Sequence, residues 1–158
     1  MSGVSPDKVF VLRADGALHH YDGSSWSTLE GSNMALRALW VGSSTDVSAV
    51  AGEDHPDGTT GPGLIARHDG TAWAIVQDAP DDALLAVTGR AGTVYACGAS
   101  RGEGGKSRAV VWCGEGGSWK RFLIENVGAF LWDADCAPSG ECYAVGTDNT
   151  VLALDALR

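Results

Sequence analysis

Short apolar runs, bounded by glycine, aspartate, asparagine, serine or proline, fill almost the whole chain. Apolar positions within these runs alternate with polar ones or stay apolar throughout, and helical spacing is hard to find. This pattern predicts a nearly all-β protein with many short strands. The 22 glycines agree with it, because they lie mostly between the runs, where turns need positive φ or no side chain.

One phrase occurs three times: an acid, a glycine, two small residues and a tryptophan. Its copies are Tyr21-Asp22-Gly23 to Trp26, His68-Asp69-Gly70 to Trp73, and Gly114-Glu115-Gly116 to Trp119. The tryptophans lie 47 and 46 residues apart, which indicates repeated copies of one supersecondary unit. Asp-Gly favours a tight turn and the tryptophan favours packing, so the phrase predicts a hairpin rather than a site. The third copy departs from the pattern in its first two residues.

Alignment of the copies predicts four units of strands a, b, c and d. The whole chain, 1–158, is predicted to be a single domain with unit repeats at about 8–29, 36–77, 83–123 and 129–155. The first unit is predicted to lack strand a and the last to lack strand d, which gives 14 strands. The b to c loops, Glu53–Pro62 and Ala99–Lys106, are longer than their counterparts in the end units.

Four antiparallel strands per unit with a recurring aromatic motif indicate the blade of a β-propeller. We therefore predict an all-β partial propeller of about three and a half blades. Tyr143-Ala144-Val145-Gly146 and the first two copies of the phrase resemble blades of bacterial repeat propellers, many of which are secreted or on the cell surface. The unit length is also similar to that of tachylectin-type sugar-binding propellers. These resemblances imply blade structure and no active site.

Three and a half blades cannot close a ring, since closed propellers have about 4 to 8 blades. Open strand edges and sheet faces favour association. The sequence thus predicts a homodimer in which two copies complete a ring of about seven or eight blades. The alternative is that these residues belong to a longer protein.

The negative net charge and the two enlarged loops together indicate a binding face at one end of the blades. A net charge of −9 with scattered basic residues argues against a nucleic-acid partner, and no apolar run is long enough to span a membrane. The b to c and d to a connections lie at the same end of a propeller, and enlarged loops often mark the binding face. We predict a protein partner at an acidic loop face. Its residues are Glu53, Asp54, Asp57, Asp78, Asp81, Asp82, Glu103 and Glu125.

A carbohydrate-binding propeller is the alternative function, with Trp40, Trp112 or Trp132 stacking on sugar rings between blades. The aromatic columns of the units are not equivalent, which favours the protein-binding interpretation. A solvated acidic rim without a partner is the simplest alternative to both.

The remaining chemistry is sparse. Cys136 and Cys142 flank a predicted turn and are candidates for a hairpin disulfide, whereas Cys97 and Cys113 are either a second pair or buried thiols. Oxidation of the first pair would favour a secreted or cell-surface protein, and reduction a cytoplasmic one. Neither zinc spacing, a catalytic triad nor a phosphate loop is evident, so we predict a protein that is not an enzyme and has no metal or cofactor.

Overall fold

The computed structural model describes residues 1–13, 15, 17–29, 34–52, 62–90, 92–102 and 106–157. Its strands form three four-stranded antiparallel sheets and one three-stranded sheet, each in chain order, which we call blades 1 to 4. Blade 1 consists of β1 (Ser2–Ser5), β2 (Lys8–Leu12), β3 (Leu18–Tyr21) and β4 (Trp26–Leu29). Blade 2 consists of β5 (Leu36–Ser43), β6 (Asp46–Ala51), β7 (Gly63–His68) and β8 (Trp73–Ala79). Blade 3 consists of β9 (Asp82–Arg90), β10 (Thr93–Arg101), β11 (Ser107–Glu115) and β12 (Ser118–Leu123). Blade 4 consists of β13 (Leu131–Cys136), β14 (Cys142–Gly146) and β15 (Val151–Ala153).

The structure has the predicted fold of a partial β-propeller. Each of the 14 predicted strands has a counterpart in the structure, and these counterparts fall in the four predicted units. Two 3-10 segments, Thr147–Asn149 and Leu154–Leu157, flank β15 and are the only helical elements among the described residues.

Blade 1 contains a strand that the sequence pattern does not predict. β1 pairs antiparallel with β2, with Gly3 opposite Val9, so the prediction that the first unit lacks strand a was wrong. Ser2–Ser5 is not an apolar run, and it forms a strand because β2 offers a free edge and β5 lies beside it. In the described part of the chain only blade 4 therefore has three strands.

The core lies between consecutive blades in three layers. In the first layer, Phe10 and Leu18 of blade 1 pack against Val47 and Ala49 of blade 2. Val50 and Ile65 of blade 2 meet Leu84, Ala96 and Val110 of blade 3, and Tyr95 and Val111 of blade 3 meet Cys142 and Ala144 of blade 4. Successive side chains of a strand point to opposite faces, so the interior blades are buried on both faces and the end blades on only one.

The cysteines divide into a bonded pair and two thiols. Cys136 and Cys142 are opposite each other at the end of the β13–β14 ladder and form a disulfide. Cys97 and Cys113 are buried free cysteines on neighbouring strands. Burial raises the pKa of the Cys97 thiol to about 12, so this thiol is protonated and unreactive at neutral pH.

Candidate functional site

The acidic loop end is only partly exposed. Asp78 is exposed near the end of β8, Asp81 is exposed on the connection from β8 to β9, and Glu125 is exposed after β12. The Glu125 carboxylate pairs with the Arg108 guanidinium at 3.3 Å, which offsets one negative charge at this end. Glu53, Asp54, Asp57 and Glu103 lie outside the described residues.

Asp82 is buried at the start of β9 and takes part in a hydrogen-bond network. Its carboxylate accepts hydrogen bonds from Arg121 at 2.8 and 2.6 Å and from the Trp112 indole N–H at 2.7 Å. Burial by itself raises the pKa of Asp82, but these hydrogen bonds, one with Ser100 and the Arg121 charge together hold it below its usual value. The structure therefore places this carboxylate inside blade 3, committed to internal partners.

The three candidate sugar-stacking tryptophans lie in different surroundings. Trp40 lines a cleft between blades 2 and 3, while the N–H of Trp112 donates to buried Asp82. Trp132 is exposed on blade 4 and stacks on Phe130, with ring centroids 4.9 Å apart. The structure does not bring these rings together.

The first two copies of the repeated phrase form the same turn. Asp22 Oδ1 accepts hydrogen bonds from the backbone N–H of Ser24 at 2.9 Å and of Ser25 at 2.8 Å. Asp69 Oδ1 does the same for the two residues before Trp73. These hydrogen bonds, to which Thr71 adds a hydroxyl donor, hold the pKa of both aspartates well below its usual range. The aspartates therefore stabilise the two hairpins.

The third copy forms a different turn. β11 ends at Glu115 and β12 begins at Ser118, so only Gly116 and Gly117 connect them, with φ of 58° and 85°. A two-residue hairpin loop with two positive φ angles favours Gly-Gly. In the first two copies an aspartate side chain stabilises the turn, whereas the third copy instead needs glycine at two positions with positive φ.

The first residue of the phrase is aromatic in two copies, Tyr21 and His68, and is Gly114 in the third. Tyr21 contacts Trp26 and His68 contacts Trp73, each with ring centroids 5.2 Å apart. His68 is buried, and its Nδ1 accepts the Gly70 N–H at 3.1 Å. Desolvation lowers the pKa of His68 despite the nearby charge of Asp69, so the ring is neutral at pH 7. In blade 3 this column holds Gly114, which has no ring.

A cleft of about 310 Å³ opens between blades 2 and 3 beside Gly114. It lies at the end of the blades formed by the a to b and c to d turns, opposite the acidic loop end. Its walls include the indoles of Trp40 and Trp119, and its polar lining includes Asp46, Arg67 and Glu115. Sequence reasoning identified Trp40 and missed the others. Glycine at position 114 was the available signal, because a column that loses one aromatic ring must pack differently, and here the Trp119 indole lies on the glycine.

Both end blades expose columns that the other blades bury. Tyr143 and Val145 of blade 4 are each 45% exposed, whereas Tyr95 and Cys97, which occupy the same positions in blade 3, are fully buried. Val151 lies opposite Val145 on the same face and is 70% exposed. We call Tyr143, Val145 and Val151, with neighbouring Asp133 and Asp135, the blade 4 end face.

The other open face lies on blade 1. Val9, Tyr21 and Trp26 are directly opposite one another on β2, β3 and β4, and Trp26 is 55% exposed. Their counterparts in blade 2, Val47, His68 and Trp73, face blade 1. We call Val9, Val11, His19, Tyr21 and Trp26 the blade 1 end face.

Comparison with known proteins gives the fold and no family. No family model matches the chain, and no curated protein matches it. Among solved structures, the chain is similar to the computationally designed Ika4 protein, with 16% identity, a TM-score of 0.58 and coverage of 96% of this chain and 88% of that one. It is also similar to the WD40 β-propeller domain of Doa1, with 20% identity, a TM-score of 0.60 and coverage of 92% and 45%.

Two further similar structures contain a bound partner. One is YCF48 bound to D1 peptide, with 15% identity, a TM-score of 0.58 and coverage of 99% of this chain and 49% of that one. The other is a nidogen/laminin complex, with 15% identity, a TM-score of 0.62 and coverage of 93% and 54%. These similarities support the β-propeller fold, and this chain spans about half the length of the Doa1, YCF48 and nidogen/laminin chains. No helix in the described part of the chain is long and apolar enough to cross a membrane.

Proposed function

We propose that this chain is a non-enzymatic β-propeller binding module that self-associates to complete its ring and binds a protein partner at its acidic loop end. The observation that carries the proposal is the pair of end faces. Each end face presents, uncovered, the columns by which neighbouring blades pack inside the chain. A second copy of the chain fits both end faces. The residue columns of the blade 1 end face correspond to those by which blades 2, 3 and 4 each pack on the preceding blade.

The composition of the two end faces is compatible with head-to-tail contact. Tyr143 and Val145 would meet Val9 and Val11, as Tyr95 and Cys97 meet Cys142 and Ala144 within the chain. β2 and β3 place no acidic side chain on the blade 1 end face, so Asp133 and Asp135 would meet no like charge there. Two copies supply eight blades, within the range of closed propellers.

The mass in solution tests this proposal. We expect the wild-type chain at micromolar concentration to have the mass of a dimer by light scattering. Val151→Asp and Trp26→Asp, which place a charge on the two end faces, should each give monomers. Both side chains are largely exposed, so the fold should tolerate the changes.

Controls make this result specific. Ile75→Asp is a matched control, since Ile75 is 50% exposed on blade 2 and lies on neither end face. In a mixture of the two variants, the unaltered blade 1 end face of Val151→Asp can bind the unaltered blade 4 end face of Trp26→Asp. The mixture should therefore form dimers held by one of the two contacts of the closed ring. A monomeric wild-type chain, or an unchanged dimer in both variants, would contradict the self-association.

Binding of protein at the acidic loop end rests on the exposed carboxylates of Asp78, Asp81 and Glu125. The similarity to propellers solved with a peptide or protein partner supports this interpretation at the level of the fold. The carbohydrate alternative rests on Trp40, which lines a cleft, and on exposed Trp132. The protein-binding and carbohydrate-binding functions require different ligands, so a peptide probe and a glycan probe together distinguish them.

An octalysine peptide and a glycan array are the two probes. We expect the peptide to bind with strong salt dependence, and Asp78→Lys with Asp81→Lys to weaken it by about tenfold or more. Asp7→Lys with Glu141→Lys, two exposed acids in the β1–β2 and β13–β14 turns at the opposite end of the blades, is the control for net charge. Specific glycan binding that Trp40→Ala or Trp132→Ala abolishes, with no peptide binding, would overturn the protein-binding proposal in favour of the lectin.

The disulfide supports a secreted or cell-surface location, because such bonds persist in oxidising compartments. Mass spectrometry of protein from its native host, with free thiols blocked at lysis, tests this. A reduced Cys136–Cys142 pair would contradict it.

A further inference from the structure

The cleft between blades 2 and 3 occupies a position where the earlier units have an aromatic ring. Gly114, like Tyr21 and His68, lies directly opposite the tryptophan of its own copy of the phrase. In the first two copies the ring of this residue contacts that tryptophan. In the third copy Gly114 has no ring, the Trp119 indole lies on the glycine itself, and the cleft opens beside this indole.

Three glycines leave room for the two indole rings that form the walls of the cleft. A Cβ atom at Gly89 would come within 3.1 Å of the Trp40 ring, and one at Gly42 within 2.8 Å. A Cβ atom at Gly114 would come within 2.7 Å of the Trp119 ring, so this indole lies directly on the glycine backbone. The indole positions thus depend on the absence of side chains at three points, and the aromatic walls are built into the blades.

The rim of the cleft carries polar groups of both signs. Asp46 Oδ1 accepts a hydrogen bond from Arg67 Nε at 2.7 Å, while Glu115 is exposed at the end of β11. Two carboxylates and one guanidinium leave one net negative charge at the rim. A ligand that donates a hydrogen bond is therefore favoured over one that only accepts.

We propose that this cleft binds an aromatic side chain that carries an O–H or N–H group, such as tyrosine, presented by a peptide of a protein partner. The bound ring lies in the cleft against the Trp119 and Trp40 indoles, and its polar hydrogen points to the carboxylates of the rim. The size of the cleft suits one side chain, at the lower limit of small-ligand pockets. The proposal rests on the proposed function as a protein-binding module, but places a second contact at the opposite end of the blades.

Small probes test the cleft without a known partner. N-acetyl-tyrosinamide, titrated into the ¹⁵N-labelled chain, should shift the indole N–H resonances of Trp40 and Trp119 saturably, with an affinity in the millimolar range. N-acetyl-phenylalaninamide should bind more weakly, and N-acetyl-leucinamide should leave both signals unchanged. Trp40→Phe and Trp119→Phe assign the two signals.

Two variants make the test specific. Gly114→His adds a ring where the Trp119 indole now lies, which displaces this wall of the cleft and should weaken binding of the tyrosine probe by about tenfold or more. Glu115→Gln changes an exposed side chain and should reduce the preference for the tyrosine probe over the phenylalanine probe, which remains a valid test if Gly114→His does not fold. Asp148→Asn, at a distant turn, is the matched control for lost charge and should change neither.

Several outcomes would overturn the proposal. Unchanged tyrosine binding in folded Gly114→His would place the probe elsewhere, and equal binding of all three amides would indicate non-specific contact. Saturable shifts with methyl glucoside but not with the tyrosine probe would favour a sugar in the cleft. If no probe shifts the indoles while octalysine still binds through Asp78 and Asp81, the cleft proposal fails and the proposed function stands.

Discussion

Replacement of Asp82 by alanine is expected to lower the free energy of unfolding by about 1–3 kcal/mol, because the half-buried Trp112 indole N–H loses its acceptor, whereas water can solvate the more exposed Arg121 guanidinium. Arg121 and the Trp112 N–H would both lose their acceptor on this carboxylate. Equilibrium unfolding in urea measures the loss. Asp78→Ala, an exposed change at the same end of the blades, should stay within about 0.5 kcal/mol of the wild type.

The same carboxylate gives a pH dependence with a defined sign. The pKa of Asp82 is lower in the folded protein than its usual value. Its contribution to stability is therefore complete above the usual carboxyl pKa and is lost as the pH falls through the lowered one. Asp82→Ala should show a smaller loss of stability than the wild type as the pH falls below about 4. Equal slopes in this range, or a loss under about 1 kcal/mol at neutral pH, would show that the network contributes little.

Gly98→Ala is the second large effect, with an expected loss of about 3 kcal/mol. Gly98 lies at an irregularity in the β9–β10 ladder, and a Cβ atom there would overlap the backbone carbonyl of Ala83. Backbone atoms of a neighbouring strand cannot rotate away, so β9 and β10 must separate in the most buried blade. Unfolding in urea checks the loss.

The control for this variant is Gly116→Asn. Gly116 has no neighbouring atom near the added Cβ, and its φ of 58° lies in the region that asparagine tolerates. We expect a change of less than about 1 kcal/mol there. Similar losses in the two variants would show that backbone conformation, and not the overlap with Ala83, limits substitution at these glycines.

Local patterning was enough to predict most of the fold. The b strands could be located because Val47, Val94 and Cys142 fall in one column, and the turns because Asp-Gly has a strong local conformational preference. β1 could not be predicted in this way, since Ser2–Ser5 has no strand pattern and acquires its structure from β2 and β5. With β1 present, blade 4 is the only blade with three strands in the described part of the chain.

The candidate site residues also divide into those that local sequence identifies and those that depend on distant residues. Sequence reasoning grouped Asp82 with the exposed acids, because a charged residue beside a predicted loop has no visible partner in the sequence. Its partners Trp112 and Arg121 lie 30 and 39 residues away and meet it only when the strands of blade 3 pair. Burial and partnership of a charge depend on such distant residues.

By itself, the sequence determined the repeat unit, 14 of the 15 described strands and the turns, because these depend on local periodicity and on the spacing of Asp-Gly and tryptophan. Only the tertiary structure decided which faces are covered. Tyr95 and Tyr143 occupy the same position of the same strand pattern, yet Tyr95 is buried because blade 4 packs on it, whereas Tyr143 is 45% exposed. The cleft beside Gly114 likewise forms only where blades 2 and 3 pack, with Trp40 and Trp119 in its walls.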